Sequence, residues 1–153
     1  MRIIKSIDDA RALEGEEVGL SDWIIIDQNR IDQFAEATGD HQWIHVDTER
    51  AGKELPDGKT IAHGYLTLAL IPSLASYFVK VDNLARAINF GINKARFYSP
   101  VPSGARVRGR ATVNKAQQRA GALLLTSEVR IEIEGVKKPA CVAEVLGMYF
   151  FNE

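Results

Sequence analysis

Cysteine is nearly absent from the 153-residue chain. Cys141 stands alone, so no internal disulfide can form and no second thiol is available to a zinc site. The longest run free of Asp, Glu, Lys, Arg and His, from Gly64 to Val79, is shorter than the roughly 20 apolar residues a membrane-spanning helix needs, and Pro72 interrupts it. It reads instead as a buried core helix. No charged, then apolar, then small-residue leader is legible, so a reducing cytoplasm is the expected setting. A net charge of −1 gives no electrostatic reason to expect nucleic acid or a membrane surface as a partner. The length suits one domain, 1–153, able to bury a core without staples.

The charge that is present is unevenly placed. Residues 1–78 carry 7 Lys and Arg against 14 Asp and Glu, whereas 79–153 carry 12 against 6. The second half could therefore offer a cationic face to an anionic ligand. The plainer reading is that these are solvated outer faces of strands.

Periodicity gives the architecture. Trp23-Ile24-Ile25-Ile26 reads as a short buried strand, and Asp27 as the N-cap of a helix, with Ile26 and Ile31 placed as a hydrophobic staple. Ile31, Phe34, Ala35 and Thr38 form an apolar helical stripe that Gly39 should end. A loop follows, then one or two helical turns over Thr48 to Glu54 and a turn at Leu55-Pro56-Asp57-Gly58. Ile61 to Ile71 is apolar on nearly every side past Gly64, as expected of a helix surrounded by protein, and Pro72 should kink or break it. Beyond about Ile88 the period changes to two. Ala105, Val107, Gly109, Ala111 and Val113 alternate with Arg106, Arg108, Arg110, Thr112 and Asn114, and Leu123 to Glu134 supplies a hairpin partner. Ala140 to Phe151 completes a meander, with turns at Gln118 to Gly121 and Glu134 to Lys138. Helices and strands kept apart in the chain predict an α+β fold. One sheet and one central helix leave a face or an edge for a second copy, so a homodimer is expected.

All three histidines, His41, His45 and His63, fall within a short span. In "ATGDHQWIHVD", residues 37–47, Asp40 and His45 are close enough on one loop to converge on a water. A carboxylate beside an imidazole can hold the ring's tautomer and share a proton, as acid–base chemistry near neutral pH requires. No serine or cysteine sits in a nucleophile motif, and hydration or dehydration needs none. Ala62-His63-Gly64 opens the apolar helix, whose first N–H groups lack intrahelical partners and could stabilise an oxyanion, with Gly64 admitting a carbonyl to the backbone. The bland alternative makes His45 a core histidine, Asp40 a turn residue and Gly64 a packing glycine. A zinc site built from His41, His45, His63 and Asp47 is not expected, because 41 and 45 lie in a loop rather than four apart on a helix.

"FAEATGDHQWIHVDTERA" followed by "IAHGYLTLALI" resembles the MaoC-like, (R)-specific enoyl-CoA hydratase family, particularly its nodulation protein N branch. Phe34, Gly39, Asp40, Ile44, His45, Asp47, Ala51, Ala62, His63 and Gly64 match the family pattern in order. The resemblance implies a single hotdog fold, in which an antiparallel sheet wraps a long central helix and which is usually paired into a dimer. It implies an acyl-CoA thioester substrate and no separate cofactor or metal. Carried over by position, Asp40 and His45 would activate the water that adds to C3 of a trans-2-enoyl thioester. Gly64 N–H would polarise the thioester carbonyl, and Gln42 and His63 would be substrate-binding. Two departures stand out. Gln42-Trp43 replaces the pattern's Asn-Pro, and Pro72, beside Ser73, stands where some relatives place a serine. Lys94, Arg96, Arg106, Arg108 and Arg110 are candidates for the phosphates of CoA. A hotdog thioesterase and a noncatalytic acyl-CoA-binding subunit remain as alternatives.

Overall fold

The structure is a computed structural model that describes residues 1–152. In chain order it contains β1 (Arg2–Ile4), α1 (Ile7–Arg11), β2 (Glu17–Leu20), β3 (Ile24–Ile26), α2 (Gln28–Thr38), α3 (Trp43–Val46), α4 (Thr48–Glu54), α5 (Gly64–Ala69), α6 (Ile71–Leu74), a 3-10 turn (Ala75–Tyr77), β4 (Val79–Val81), β5 (Leu84–Phe97), β6 (Ala105–Arg119), β7 (Ala122–Ile133) and β8 (Cys141–Phe151). The main sheet is antiparallel and ordered β2-β6-β7-β8-β5, with β3 also on β6. A short parallel pair, β1 with β4, lies apart from it.

The alternation in β6 and β7 does what a period of two requires. Val107, Ala111 and Val113 point inward, as do Val129, Ile131 and Ile133, while the arginines of β6 point out. Against that inner face lie Leu66, Leu70, Ile71, Leu74 and Phe78 of the helical segment. Burying each such side chain is worth about 1.5–3 kcal/mol. Gly109 marks the tightest approach, since a Cβ there would fall 2.8 Å from the Phe78 ring and 3.0 Å from Leu74. At Ala120 and Gly121 both φ angles are positive (47° and 78°), the twist that lets β6 turn directly into β7.

The α2 helix forms as its caps dictate. The Asp27 carboxylate accepts the Arg30 N–H, Ile26 and Ile31 are buried beside it, and Gly39 closes the helix in the left-handed conformation (φ 78°).

Several expectations need correction. The Ile24–Ile26 strand is not buried throughout: it lies along the outer side of β6, so Ile25 is 52 % exposed while Ile26 is buried. The break expected of Pro72 does occur, at Leu70, with the proline, lacking an N–H, standing in the first turn of α6. The apolar helix is not enclosed on every side: Phe97 of β5 meets its first turn at Gly64 and Tyr65, yet Tyr65 is 71 % exposed. Residues 41–47 are not all loop, since His45 sits on the one-turn helix α3. On β7, Leu124 is buried on the face opposite Leu125, in a small cluster with Ala122 and Met148. The first twenty residues, whose pieces are too short to show a period, supply β1, α1 and β2.

Candidate active site

The αL turn at Gly39 throws the chain off the end of α2 and places Asp40 beside the α3 turn. The Asp40 N–H donates to Thr38 Oγ1 (3.4 Å), and its carboxylate accepts the Gln42 N–H (3.3 Å), which opens α3. His45 then points inward and is buried. Its Nδ1 lies 2.6 Å from the Ile61 carbonyl oxygen. A carbonyl can only accept, so Nδ1 carries the proton and Nε2 keeps its lone pair. The backbone returns the tie, with the Ile61 N–H donating to Ile44 O (3.0 Å).

His63 is assigned by the same logic. Its Nε2 is 2.9 Å from the Asp40 carbonyl oxygen and therefore carries the proton. The ring is fully buried, stacked on His45 with centroids 3.9 Å apart and planes 24° apart, and tilted against Phe34 at 4.9 Å. One donor atom from each of Asp40, His45 and His63 lies within 4.8 Å of the other two. Lone pairs in two nearly parallel rings run side by side rather than converging, so a single cation could not lie in line with both nitrogens at the bond length of about 2.0–2.1 Å that zinc requires. The set weighed from the sequence is also dispersed. His41 faces Glu36 (3.6 Å), and Asp47 caps α4 by accepting the Arg50 N–H (2.9 Å).

Burial holds the His45 pKa below its ordinary value of 6.5. The Ile61 hydrogen bond opposes that shift, the neighbouring His63 ring adds to it, and Asp40 opposes it weakly. The imidazole is therefore neutral and able to accept a proton at physiological pH. Above pH 6.5 the stability that comes from keeping His45 neutral is complete. As pH falls below 6.5 the unfolded chain takes up a proton first, and that contribution is lost through the folded pKa. The acid limb of a pH–rate profile dependent on His45 is accordingly expected below pH 6.5, measured as kcat/KM against pH. An acid limb above 6.5 would contradict this assignment.

His45 and Gly64 meet at one cavity of about 360 Å³, walled by Ile61, Ala62, Thr67, Phe97, Tyr98 and Val101 among others. Gly64 begins α5 there. The first N–H groups bonded within the helix are those of Leu66 and Thr67, both to His63 O (3.0 and 3.2 Å), so the N–H groups of Gly64 and Tyr65 precede the ladder. A Cβ on Gly64 would lie 3.2 Å from the Phe97 ring. Asp40 is exposed at the side of the His45–His63 pair and is not part of the cavity wall. Gln42 is exposed as well, and contributes its backbone as the cap of α3. Trp43 packs under the Arg50 guanidinium, 3.9 Å from the ring centroid.

Sequence reasoning missed Gln28. Its side-chain amide donates to the His45 carbonyl oxygen (2.8 Å) and to Asp32 (2.8 Å), while its Oε1 accepts from the buried Thr60 hydroxyl. One residue at the start of α2 thus clamps the His45 turn to the segment leading into Ile61. Nothing in a local pattern could show this, because the partners lie 17 and 32 residues away.

A family model described as MaoC like domain matches residues 9–133. The chain is 48 % identical over 150 residues to 3-hydroxyacyl-thioester dehydratase Z of Mycobacterium tuberculosis, covering 97 % of this chain and 99 % of that one. It is 44 % identical over 149 residues to nodulation protein N of Rhizobium leguminosarum bv. viciae, covering 96 % and 92 %. In fold it matches the (R)-hydratase from A. caviae involved in PHA biosynthesis, with a TM-score of 0.68 at 22 % identity over 86 % of this chain and 95 % of that one. The sheet and helical segment are therefore those of the hotdog fold. With Gly-Asp, the inward histidine and Ala-His-Gly all brought to one end of that fold, and near-half identity along nearly its whole length, this chain belongs to the MaoC-like dehydratase family.

Proposed function

We propose that the protein hydrates a trans-2-enoyl-CoA reversibly to an (R)-3-hydroxyacyl-CoA. The observation that carries this reading is the meeting of a neutral, lone-pair-bearing His45 with the open N–H end of α5 in one largely apolar cavity. His45 Nε2, assisted by the Asp40 carboxylate, takes a proton from water as its oxygen bonds to C3. The π electrons of the C2–C3 double bond move into the thioester carbonyl. The resulting enolate oxygen is held by the Gly64 N–H, and the proton returns to C2 as the enolate collapses. His63 acts from behind, its ring fixing that of His45, and Gln42 shapes the turn that presents Asp40. No cofactor enters the chemistry. The whole chain works as one domain in the cytoplasm.

The decisive assay follows the enoyl-thioester absorbance of crotonyl-CoA and of a medium-chain trans-2-enoyl-CoA, with free thiol measured in parallel. Loss of absorbance without thiol release is the expected result. Thiol release would make the protein a thioesterase, and binding without turnover would make it an acyl-CoA-binding subunit.

The protein acts as a homodimer in this reading. No described helix is long and apolar enough to cross a membrane, and the exposed apolar surface suits another protomer. Strand β5 is an edge of the main sheet and exposes Ile88, Phe90 and Ile92, the last of which lines one hollow with Tyr65 of α5. An unpaired edge of this length with such residues is suited to a second copy. Sedimentation equilibrium should give about twice 16.9 kDa. A mass of 16.9 kDa would remove this part of the proposal.

A further inference from the structure

Three links tie the His45 turn to the segment Thr60-Ile61, and one is made of side chains that the chemistry above does not use. His45 Nδ1 donates to Ile61 O (2.6 Å), and the Ile61 N–H donates to Ile44 O (3.0 Å). The third link is the half-buried Gln28, whose Nε2 donates to His45 O (2.8 Å) while its Oε1 accepts from the Thr60 hydroxyl. The other proton on Nε2 goes to Asp32 Oδ1 (2.8 Å). A carbonyl and a carboxylate can only accept, so the amide nitrogen must face them, which leaves the amide oxygen for Thr60.

The bridge sits where little can move. Thr60 is 1 % exposed, so its hydroxyl needs a partner inside the fold. The Thr60 carbonyl accepts the Ser103 N–H (2.8 Å), and the Ala62 N–H donates to Val101 O (2.8 Å), which pins 60–62 on its other side to 101–103. That loop is tied in turn to β3, through the Gly104 N–H on Ile26 O (2.7 Å). Ile26 lies two residues before Gln28. The pairing of β3 on β6 therefore places the first turn of α2, which places the amide, which places the turn carrying His45.

His45 can use Nε2 as a base only while its proton stays on Nδ1, and the Ile61 carbonyl holds it there. That bond depends on how closely residues 45 and 61 are kept together. Among the described residues no backbone N–H donates to His45 O, so without Gln28 this end of the one-turn helix has no tie toward Thr60. We propose that Gln28 and Thr60 are positioning residues, a side-chain bridge that locks the His45 turn on the Ile61 segment and thereby keeps the proton on Nδ1 and the lone pair on Nε2. This rests on His45 being the base of the reaction proposed above. Neither residue lines the cavity, so both act through His45.

The test uses the full chain and single substitutions. Gln28→Met keeps the length of the side chain and removes the amide. Thr60→Val keeps the shape and removes the hydroxyl, while Thr60→Ser keeps the hydroxyl. Asp32→Ala cuts the outward bond of the same amide and leaves the bridge. The first readout needs no substrate: two-bond proton–nitrogen correlation spectra of the imidazoles at neutral pH, which three histidines make simple to assign. Wild type, Thr60→Ser and Asp32→Ala should show His45 as one tautomer with the proton on Nδ1, whereas Gln28→Met and Thr60→Val should show both tautomers. The second readout is steady-state turnover of crotonyl-CoA. In Gln28→Met and Thr60→Val kcat should fall by about tenfold or more, since a misplacement of about one ångström can cost about a hundredfold. KM should be unchanged, and Thr60→Ser should restore the rate.

A shifted tautomer with no turnover even by wild type rejects the hydratase reading and leaves the bridge standing. A mixture already present in wild type, or an unchanged tautomer in folded Gln28→Met and Thr60→Val, overturns the bridge. So does a shifted tautomer with wild-type kcat, or an equal loss in Asp32→Ala, which would place the effect in the end of α2. If a single variant does not fold, Gln28→Leu combined with Thr60→Val removes both partners and leaves no buried hydroxyl unpaired. The same tautomer shift is required of that pair.

Discussion

Changing Asp40→Asn or His45→Ala should lower turnover of a trans-2-enoyl thioester by about a hundredfold or more, the usual size of a lost acid–base group. The two variants test different parts of the arrangement. Asparagine still offers an oxygen to the Gln42 N–H that the Asp40 carboxylate now accepts, so the turn survives while the negative charge is lost. The effect should appear in kcat. Alanine at 45 removes the base, the bond to Ile61 O and the stack on His63 together. It should therefore also lower stability by about 1–3 kcal/mol, because buried polar groups lose their partners. Circular dichroism and thermal melts run beside the assay separate the two losses. A folded variant of either kind with near-wild-type turnover would remove the proposed proton-transfer role.

The second large effect is expected at Gly64. This residue takes an ordinary helical φ, so its lack of a side chain serves space rather than torsion. A Cβ there would already stand 3.2 Å from the Phe97 ring, and valine adds two methyls on the side where a thioester carbonyl must come to the N–H. Gly64→Val should lower kcat/KM by about a hundredfold, comparable to removing an oxyanion donor, while the helix persists because its caps and apolar face are unchanged. Gly64→Ala should fall between, as Phe97 is half exposed and its ring can yield. If valine is tolerated with full turnover, the carbonyl does not lie at the start of α5.

The different reach of sequence and structure shows in particular residues. The caps of α2 are local chemistry: Asp27 meets an N–H three residues on, and Gly39 adopts a conformation that side chains resist. The alternation of β6 and β7 is equally local, since a strand sends neighbours to opposite faces wherever it lies. Those patterns sufficed to predict the α+β class, and Asp40, His45 and Gly64 were named from motif and helix start alone.

Tertiary structure alone decided what those residues meet. The His45 tautomer depends on the Ile61 carbonyl, the clamp on its turn comes from Gln28, and the His63 ring is held by a carbonyl 23 residues earlier. Of the basic residues in the second half, the sequence could not say which are free. Arg108 and Arg110 look no different from Arg96 along the chain, but strand register brings Glu132 within reach of the first two and sets the apolar Val142 opposite the third. The exposure of Tyr65 was likewise invisible, since a helix of apolar composition is enclosed only if the sheet curls far enough to cover it. Composition, capping and period are short-range properties and were fixed by the amino-acid sequence read residue by residue. Partnership across 16 to 32 residues and across strands depends on how the chain closes, because a hydrogen bond or ion pair is decided by distance in space.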